Sequence, residues 1–277
     1  MKHYLFFLLL LSQTMTISQA NSKFVGKAKS VVENNMVRVK VLFIHQMIGH
    51  EIAIKKNVDE SYISHITAKV NDKIVFDIST SALIQKNPII KFKFKDIDKA
   101  ESMKLIVIDN INNQKEQSFK IKRTKNSTKT MSPIGNIKKK HLKNYQKIKP
   151  KVWQATKVEN AIKELYGSNQ YYVDKTFKDT RAIVMNGPGI IINSKEDLES
   201  IAIFSDTNER ATIAMINVLK DVSIIDYQFK IKTKKSGKVI IVAKSRNGEL
   251  YRFTYPVEKV MCISDGDESY LQVTIEK

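Results

Sequence analysis

Apolar and polar residues alternate along the first half of the chain. In Val37–Phe43 the odd positions are apolar, whereas Arg38 and Lys40 point to the opposite face. A period of two predicts a β-strand with one buried face. The same alternation returns in Ile90–Lys95 and Phe119–Lys122. The pattern therefore predicts several strands that share one core.

Further strands and turns fill the spaces between these runs. Apolar segments at Ile63–Val70, Ile74–Ile78 and Leu105–Asp109 are separated by Asn71-Asp72, Asn87-Pro88 and Asn110–Asn113. Asn, Asp and Pro favour turns, because they tolerate or fix the dihedral angles that turns require. Six or seven short strands without a long helix predict a β-sandwich in this half.

The second half begins with one predicted helix, over Thr156–Tyr166. Thr156 is the predicted N-cap, Glu159 lies three residues later, and Gly167 ends the helix. Strands predicted from apolar runs follow at Arg181–Met185, Ile190–Ile192, Ser200–Phe204, Ala211–Ile216, Tyr227–Lys232, Val239–Ala243 and Leu250–Thr254. Asn247-Gly248 is a typical hairpin turn between the last two. This half is predicted to form a second sandwich.

A basic segment lies between the halves. Twelve Lys and Arg residues and no acid occur from Lys120 to Lys151, within a chain of net charge +19. Residues 124–155 lack sustained periodicity, so we predict a flexible basic linker. Contact with an anionic surface or an acidic partner is the alternative role for this charge.

The first twenty residues have the composition of an export signal. Lys2 and His3 precede the apolar run Tyr4–Leu11, and Ser18–Ala20 provides small residues for cleavage. This run is shorter than the about 20 residues that span a bilayer, and no later segment is apolar enough to do so. We therefore predict a periplasmic protein without a membrane span. Export also argues against nucleic acid as the partner of the basic segment.

Cys262 is the only cysteine. It cannot close a disulfide within its own chain, so it is a buried small hydrophobe, an intermolecular bridge or a reactive group. His45, His50 and His65 lack a carboxylate or cysteine at metal-site spacing and are predicted to be ordinary strand or surface histidines. No motif for a cofactor or a catalytic centre is present, which predicts a protein that is not an enzyme.

Several of these segments resemble the Sox family of sulfur-oxidation carrier proteins. Residues 36–122 resemble its Z subunit, most closely at Gln85–Lys95. Residues 158–262 resemble its Y subunit, from the helix at Ala161–Gly167 through Ile201–Phe204 to Ala243–Tyr251. The resemblance implies two fused carrier subunits that pair within one chain. It also implies partners among periplasmic sulfur-oxidising or other redox enzymes.

The resemblance also implies a role for Cys262, because the Y subunit holds sulfur intermediates on a cysteine. That cysteine lies in a glycine-rich arm at the chain end, whereas Cys262 stands between Met261 and Ile263 with fifteen residues after it. Two alignments remain open. Either Cys262 is the carrier cysteine, or Leu271–Ile275 is the last strand of the family and the carrier arm is missing.

The combined prediction is an all-β chain of two immunoglobulin-like β-sandwich domains joined by a basic linker. Its predicted parts are a signal peptide (1–20), a SoxZ-like sandwich (30–123), the linker (124–155) and a SoxY-like sandwich (156–277), which one short helix opens. The predicted function is an exported sulfur carrier with Cys262 as its attachment site and no cofactor or metal. The alternative is a periplasmic adaptor that has lost the carrier thiol and binds a redox enzyme such as a quinoprotein dehydrogenase.

Overall fold

The computed structural model describes residues 24–123, 144–168, 170, 172–173, 181–185 and 189–257. Sixteen strands dominate it. Those of the first half are β1 (Val25–Glu33), β2 (Met36–Phe43), β3 (Ile63–Val70), β4 (Lys73–Thr80), β5 (Ile89–Lys95), β6 (Ser102–Asp109), β7 (Gln114–Lys120) and β8 (Lys122–Arg123). Those of the second half are β9 (Tyr172–Val173), β10 (Arg181–Met185), β11 (Gly189–Ser194), β12 (Leu198–Ser205), β13 (Thr212–Asn217), β14 (Ser223–Lys230), β15 (Gly237–Ser245) and β16 (Leu250–Val257).

These strands form two sheets, and each sheet contains strands from both halves. The seven-stranded sheet has the order β10-β11-β14-β5-β2-β1-β8. The nine-stranded sheet has the order β7-β6-β3-β4-β13-β12-β15-β16-β9. The predicted all-β, sandwich-type fold is confirmed. The two sandwiches lie edge to edge, so that their sheets run on from one half into the other.

Two antiparallel strand pairs join the halves, and we call these pairs the seam. In the nine-stranded sheet β13 pairs with β4, in a register that runs from Ala214 opposite Thr80 to Asn217 opposite Asp77. In the seven-stranded sheet β14 pairs with β5, with an irregularity between Ile224 and Gln228. Each pair covers strand edges that would otherwise expose unpaired backbone groups.

One apolar core lies between the sheets and crosses the seam. Phe76 of β4 stacks on Phe92 of β5, with ring centroids 4.1 Å apart, and lies 5.9 Å from the ring of Tyr227 on β14. All three side chains are almost completely buried. Aromatic pairs at these distances add to the free energy gained by burying their surface. The two halves therefore share a single core.

Helices cover the outer face of the nine-stranded sheet on its second half. They are α2 (Tyr145–Ile148), α3 (Pro150–Gln154) and α4 (Val158–Tyr166), while α1 (His50–Lys56) belongs to the first half. The helical residues Val152, Trp153, Ala161, Ile162 and Leu165 form a second apolar cluster with outward-facing side chains of the sheet. β13 is consequently buried on both faces. No helix within the described residues is long and apolar enough to cross a membrane.

The predicted helix and linker differ from the structure in part. The helix occurs and ends at Gly167 with φ of 75°, a left-handed conformation that favours glycine. Its N-cap is Lys157 rather than Thr156, and no side chain caps it. Residues 145–154, predicted as linker, form α2 and α3, because Val152 and Trp153 supply a buried apolar face. Residues 124–143 lie outside the described part, and the domain boundaries remain predictions.

A buried group of polar side chains lies across the seam, and we call it the polar cluster. It consists of His65, Thr67, Asp77, Ser79 and Asn217, each at most 6% exposed. The Asp77 carboxylate lies 2.9 Å from Nε2 of His65, and it accepts hydrogen bonds from the Thr67 hydroxyl (3.0 Å) and the Asn217 amide (2.5 Å). Because Asn217 belongs to the second half, the cluster links the halves through side chains as well as backbone.

The polar cluster also contacts the helical layer. The Ser79 hydroxyl lies 3.0 Å from Nδ1 of His65 and accepts the backbone N–H of Tyr145 at the start of α2. The side-chain amide of Gln146 donates to the carbonyl of Thr80. The helices that follow residue 143 are thus fixed to the first half of the chain before they pack on the second.

We predict that Asp77→Ala destabilises the protein strongly. The substitution leaves His65, Thr67 and Asn217 buried with polar atoms that have lost their acceptor. Breaking a buried pair of this kind costs about 3 kcal/mol or more. Urea denaturation followed by circular dichroism measures this change as a shift of the midpoint.

Asp197→Ala is the matched control for this measurement. Asp197 is 69% exposed at its side chain and accepts from Arg246 at 2.7 Å, so its loss costs about 1 kcal/mol or less. Equal midpoints for the two variants would show that the polar cluster contributes no more than a surface ion pair.

Tyr145 provides a prediction for alkaline pH. Burial raises its pKa to about 12, and the nearby carboxylates of Glu199 and Asp77 act in the same direction. In the unfolded chain a tyrosine ionises near pH 10. Its contribution to stability is therefore complete below pH 10 and is lost as the pH rises to about 12.

We expect the wild-type chain to lose more unfolding free energy than Tyr145→Phe between pH 10 and pH 12. Urea denaturation at a series of pH values measures the difference, and the values at pH 8 give the reference for each protein. Parallel losses in the two proteins would contradict the assignment to Tyr145.

Candidate functional site

A cleft of about 620 Å³ opens where the two halves meet. We call it the junction cleft. Its first wall comes from the segment around α1 and from the loop after β4. Its second wall comes from the loop after β12, the segment after β14, and Trp153 of α3. The cleft exists because the sheets are joined at the seam, while the loops at one end of the sandwich stay apart.

A carboxylate connects the two walls of the junction cleft. Glu60 of the first half accepts from the guanidinium of Arg210 through both oxygens, at 3.3 Å each. The same carboxylate lies 2.9 Å from Nδ1 of His50 in α1. Glu60 is only 24% exposed at its side chain. The ion pair thus holds the loop after β12 against the first half.

Two lysines after β14 reach across the cleft in the same way. Nζ of Lys232 donates to the carbonyl of Met47 at 2.6 Å, and its backbone N–H donates to the carbonyl of Leu83. Lys234 pairs with Glu51 of α1. Burial lowers the pKa of Lys234 below the usual lysine value. These contacts connect the segment after β14 to the first half across the cleft.

Three polar atoms of the cleft residues are buried without a hydrogen-bond partner among the described residues. They are the indole Nε1 of Trp153, the amide Oδ1 of Asn208 and the hydroxyl of Thr233. The amide nitrogen of Asn208 donates to Thr207 and to the carbonyl of Lys232, which fixes the orientation of the amide. Trp153 is 6% exposed and Asn208 is 8% exposed. Buried polar atoms are normally paired, so these atoms mark a place where a ligand could supply partners.

The side chains that line the cleft carry a positive net charge, and some of them are partly buried. Five Lys or Arg residues and three Glu residues line it: Lys56, Lys86, Arg210, Lys232 and Lys234 against Glu51, Glu60 and Glu209. Burial, and then the charge of Glu60, raises the pKa of Tyr62 above its usual value.

The predicted attachment site, Cys262, lies outside the described residues, so it remains a prediction. The three histidines lie in different surroundings. Nδ1 of His45 accepts the backbone N–H of Met47, and burial lowers the pKa of this imidazole. His50 contacts Glu60, and His65 belongs to the polar cluster. Within the described ranges no group of three His, Cys, Asp or Glu side chains could hold a metal ion.

Sequence reasoning missed the junction cleft entirely. Its residues come from five separate segments, and none of these segments carries a recognisable motif. The one local signal was Trp153, the only tryptophan of the chain, within a segment predicted to be linker. A lone tryptophan in a lysine-rich stretch indicates a contact with a folded surface, but it does not identify the surface.

Comparison with known proteins connects the first half to one family. Residues 26–120, about a third of the chain, match the family model of the sulphur oxidation protein SoxZ. This range agrees with the resemblance at residues 36–122 and also includes β1 except for its first residue. No curated protein matches the chain.

Two solved structures are similar to the chain only weakly. The sulfur carrier protein SoxY from Chlorobium limicola f thiosulfatophilum is 21% identical, with a TM-score of 0.30, covering 38% of this chain and 97% of that one. Dimeric latent PorU from Porphyromonas gingivalis is 12% identical, with a TM-score of 0.23, covering 83% of this chain and 19% of that one. At these TM-scores neither likeness carries an argument by itself. Residues 26–120 are therefore similar to the sulphur oxidation protein SoxZ.

Proposed function

We propose that the protein is an exported, non-enzymatic sulfur carrier that holds sulfur intermediates covalently on Cys262 and presents them to sulfur-oxidising enzymes. The observation that carries the proposal is the SoxZ match over residues 26–120 in a chain whose second half completes both sheets of that domain. In this proposal the second half takes the place of a separate pairing subunit.

Fusion of the halves changes how the pairing depends on concentration. Two separate subunits associate only when both are abundant, whereas a linker keeps the partner at an effective concentration of about millimolar. The polar cluster and the shared aromatic core then fix one arrangement. A carrier built in this way keeps its pairing surface covered even when the protein is dilute.

The chemistry requires only the thiolate of Cys262. The thiolate attacks the terminal sulfur of a persulfide, a new S–S bond forms to Cys262, and the original thiolate departs with its electron pair. The transfer involves no net oxidation, and the reverse exchange releases the sulfur. Enzymes that oxidise or hydrolyse the bound sulfur are separate partners in this proposal.

The position of Val257, at the end of β16, supports a short distance between Cys262 and the junction cleft. Val257 pairs with Gly237, whose Cα lies beside Asp206 and Thr207 in the loop that continues to Asn208. Five further residues lead to Cys262, and they span at most about 18 Å.

We predict that protein purified from cells oxidising thiosulfate carries a sulfur adduct on Cys262. Intact mass spectrometry without reductant should show added sulfur, which dithiothreitol removes. The Cys262→Ser variant should show no such addition, since it lacks the nucleophile. Protein from cells grown without reduced sulfur compounds provides the control.

An unmodified thiol under all conditions, together with normal thiosulfate-dependent growth of the Cys262→Ser strain, would contradict the carrier function. Reaction of the native protein with a thiol reagent separates the two functions predicted above. Fast labelling agrees with a carrier, whereas protection until the protein unfolds agrees with an adaptor that has lost the carrier thiol.

A further inference from the structure

We propose that the junction cleft, together with the exposed apolar residues around α1, binds an extended acidic peptide segment of a partner protein. The inference deepens the proposed function and rests on it, because a carrier must dock on the enzymes that it serves. It assigns the docking to a particular surface and gives the partner segment a defined chemistry.

Exposed apolar side chains are concentrated in the sequence around α1, and one of them lies at the cleft. Seven large apolar residues of the described part are exposed, and four of them, Ile44, Ile52, Ile54 and Val58, lie within fifteen residues of sequence. Ile52 itself lines the cleft. Single exposed apolar residues are ordinary, but several of them around one short helix at a cleft favour an interaction site.

The buried polar atoms of the cleft match a peptide backbone. Nε1 of Trp153 needs an acceptor, Oδ1 of Asn208 needs a donor, and the Thr233 hydroxyl can act as either. An extended chain offers carbonyl and N–H groups alternately along its length. A purely apolar ligand would leave these atoms unpaired, at a cost for each of them.

Charge determines which peptide fits. The cleft has five cationic and three anionic side chains, and Lys56 and Lys86 form no ion pair with the described residues. Both lysines are exposed at the cleft, so carboxylates of a bound peptide can pair with them. The net charge of +19 on the whole chain also favours the approach of an acidic partner.

The fluorescence of Trp153 provides a signal for testing the proposal. Trp153 is the only tryptophan, so a ligand that accepts from its indole N–H changes the one tryptophan emission of the protein. The probe is an acetylated, amidated eight-residue peptide of alternating leucine and glutamate, titrated into the full chain. The comparison peptide replaces each glutamate with lysine.

We expect a saturable change in the emission with the acidic peptide and binding about tenfold weaker with the lysine peptide. Added salt should weaken the binding of the acidic peptide, since the lysines are exposed. No saturable change, or equal binding of the two peptides, would overturn the proposal.

Charge reversal locates the binding surface. The double variant Lys56→Glu with Lys86→Glu should bind the acidic peptide about tenfold more weakly. The control Lys29→Glu with Lys40→Glu makes the same change in net charge at exposed positions on β1 and β2 and should bind normally. Equal weakening in both variants would remove the cleft as the site. A sulfur adduct on Cys262 would remain detectable in either case, so failure of the docking and failure of the carrier function are distinguishable.

Discussion

The whole structure depends on backbone pairing across the seam. Without β13 against β4 and β14 against β5, each half would expose one strand edge in each of two sheets, and its core would be open to water on that side. The aromatic contact between Phe76 and Tyr227 and the hydrogen bond from Asn217 to Asp77 exist only because the strands are joined there. The junction cleft has the same origin, since its two walls belong to different halves.

The pairing between the halves is more regular in the nine-stranded sheet than in the seven-stranded sheet. Its seam pairing is continuous from Thr80 to Asp77, and α2 is fixed to the same place through Ser79. The pairing of β14 with β5 is interrupted, and side chains on the surface reinforce it: Lys91 donates to Gln228, and Lys93 pairs with Asp226. The nine-stranded sheet therefore provides the more regular backbone pairing between the halves.

Local patterns predicted most strands, because alternation directly records which face is buried. β2, β3 and β5 agree with prediction to within one residue. β1 was missed, because Gly26 and three polar residues interrupt its apolar positions, and its partner β2 provides the missing contacts. α1 is too short to show helical periodicity. The joining of the sheets could not be predicted, since β4 and β13 look like any central strands and the pairing between them is non-local. The residues of the cleft were missed for the same reason.

A core that belongs to both halves makes the chain one folding unit. Neither half holds a complete apolar interior, so a substitution at Phe76 affects Tyr227 of the second half as directly as Phe92 of its own half. The sequences of the two halves must therefore change in step over evolutionary time, unlike those of modules joined only by a tether. If one half were replaced by the corresponding half of a distant relative, the core residues of the other half would also have to be changed to match it.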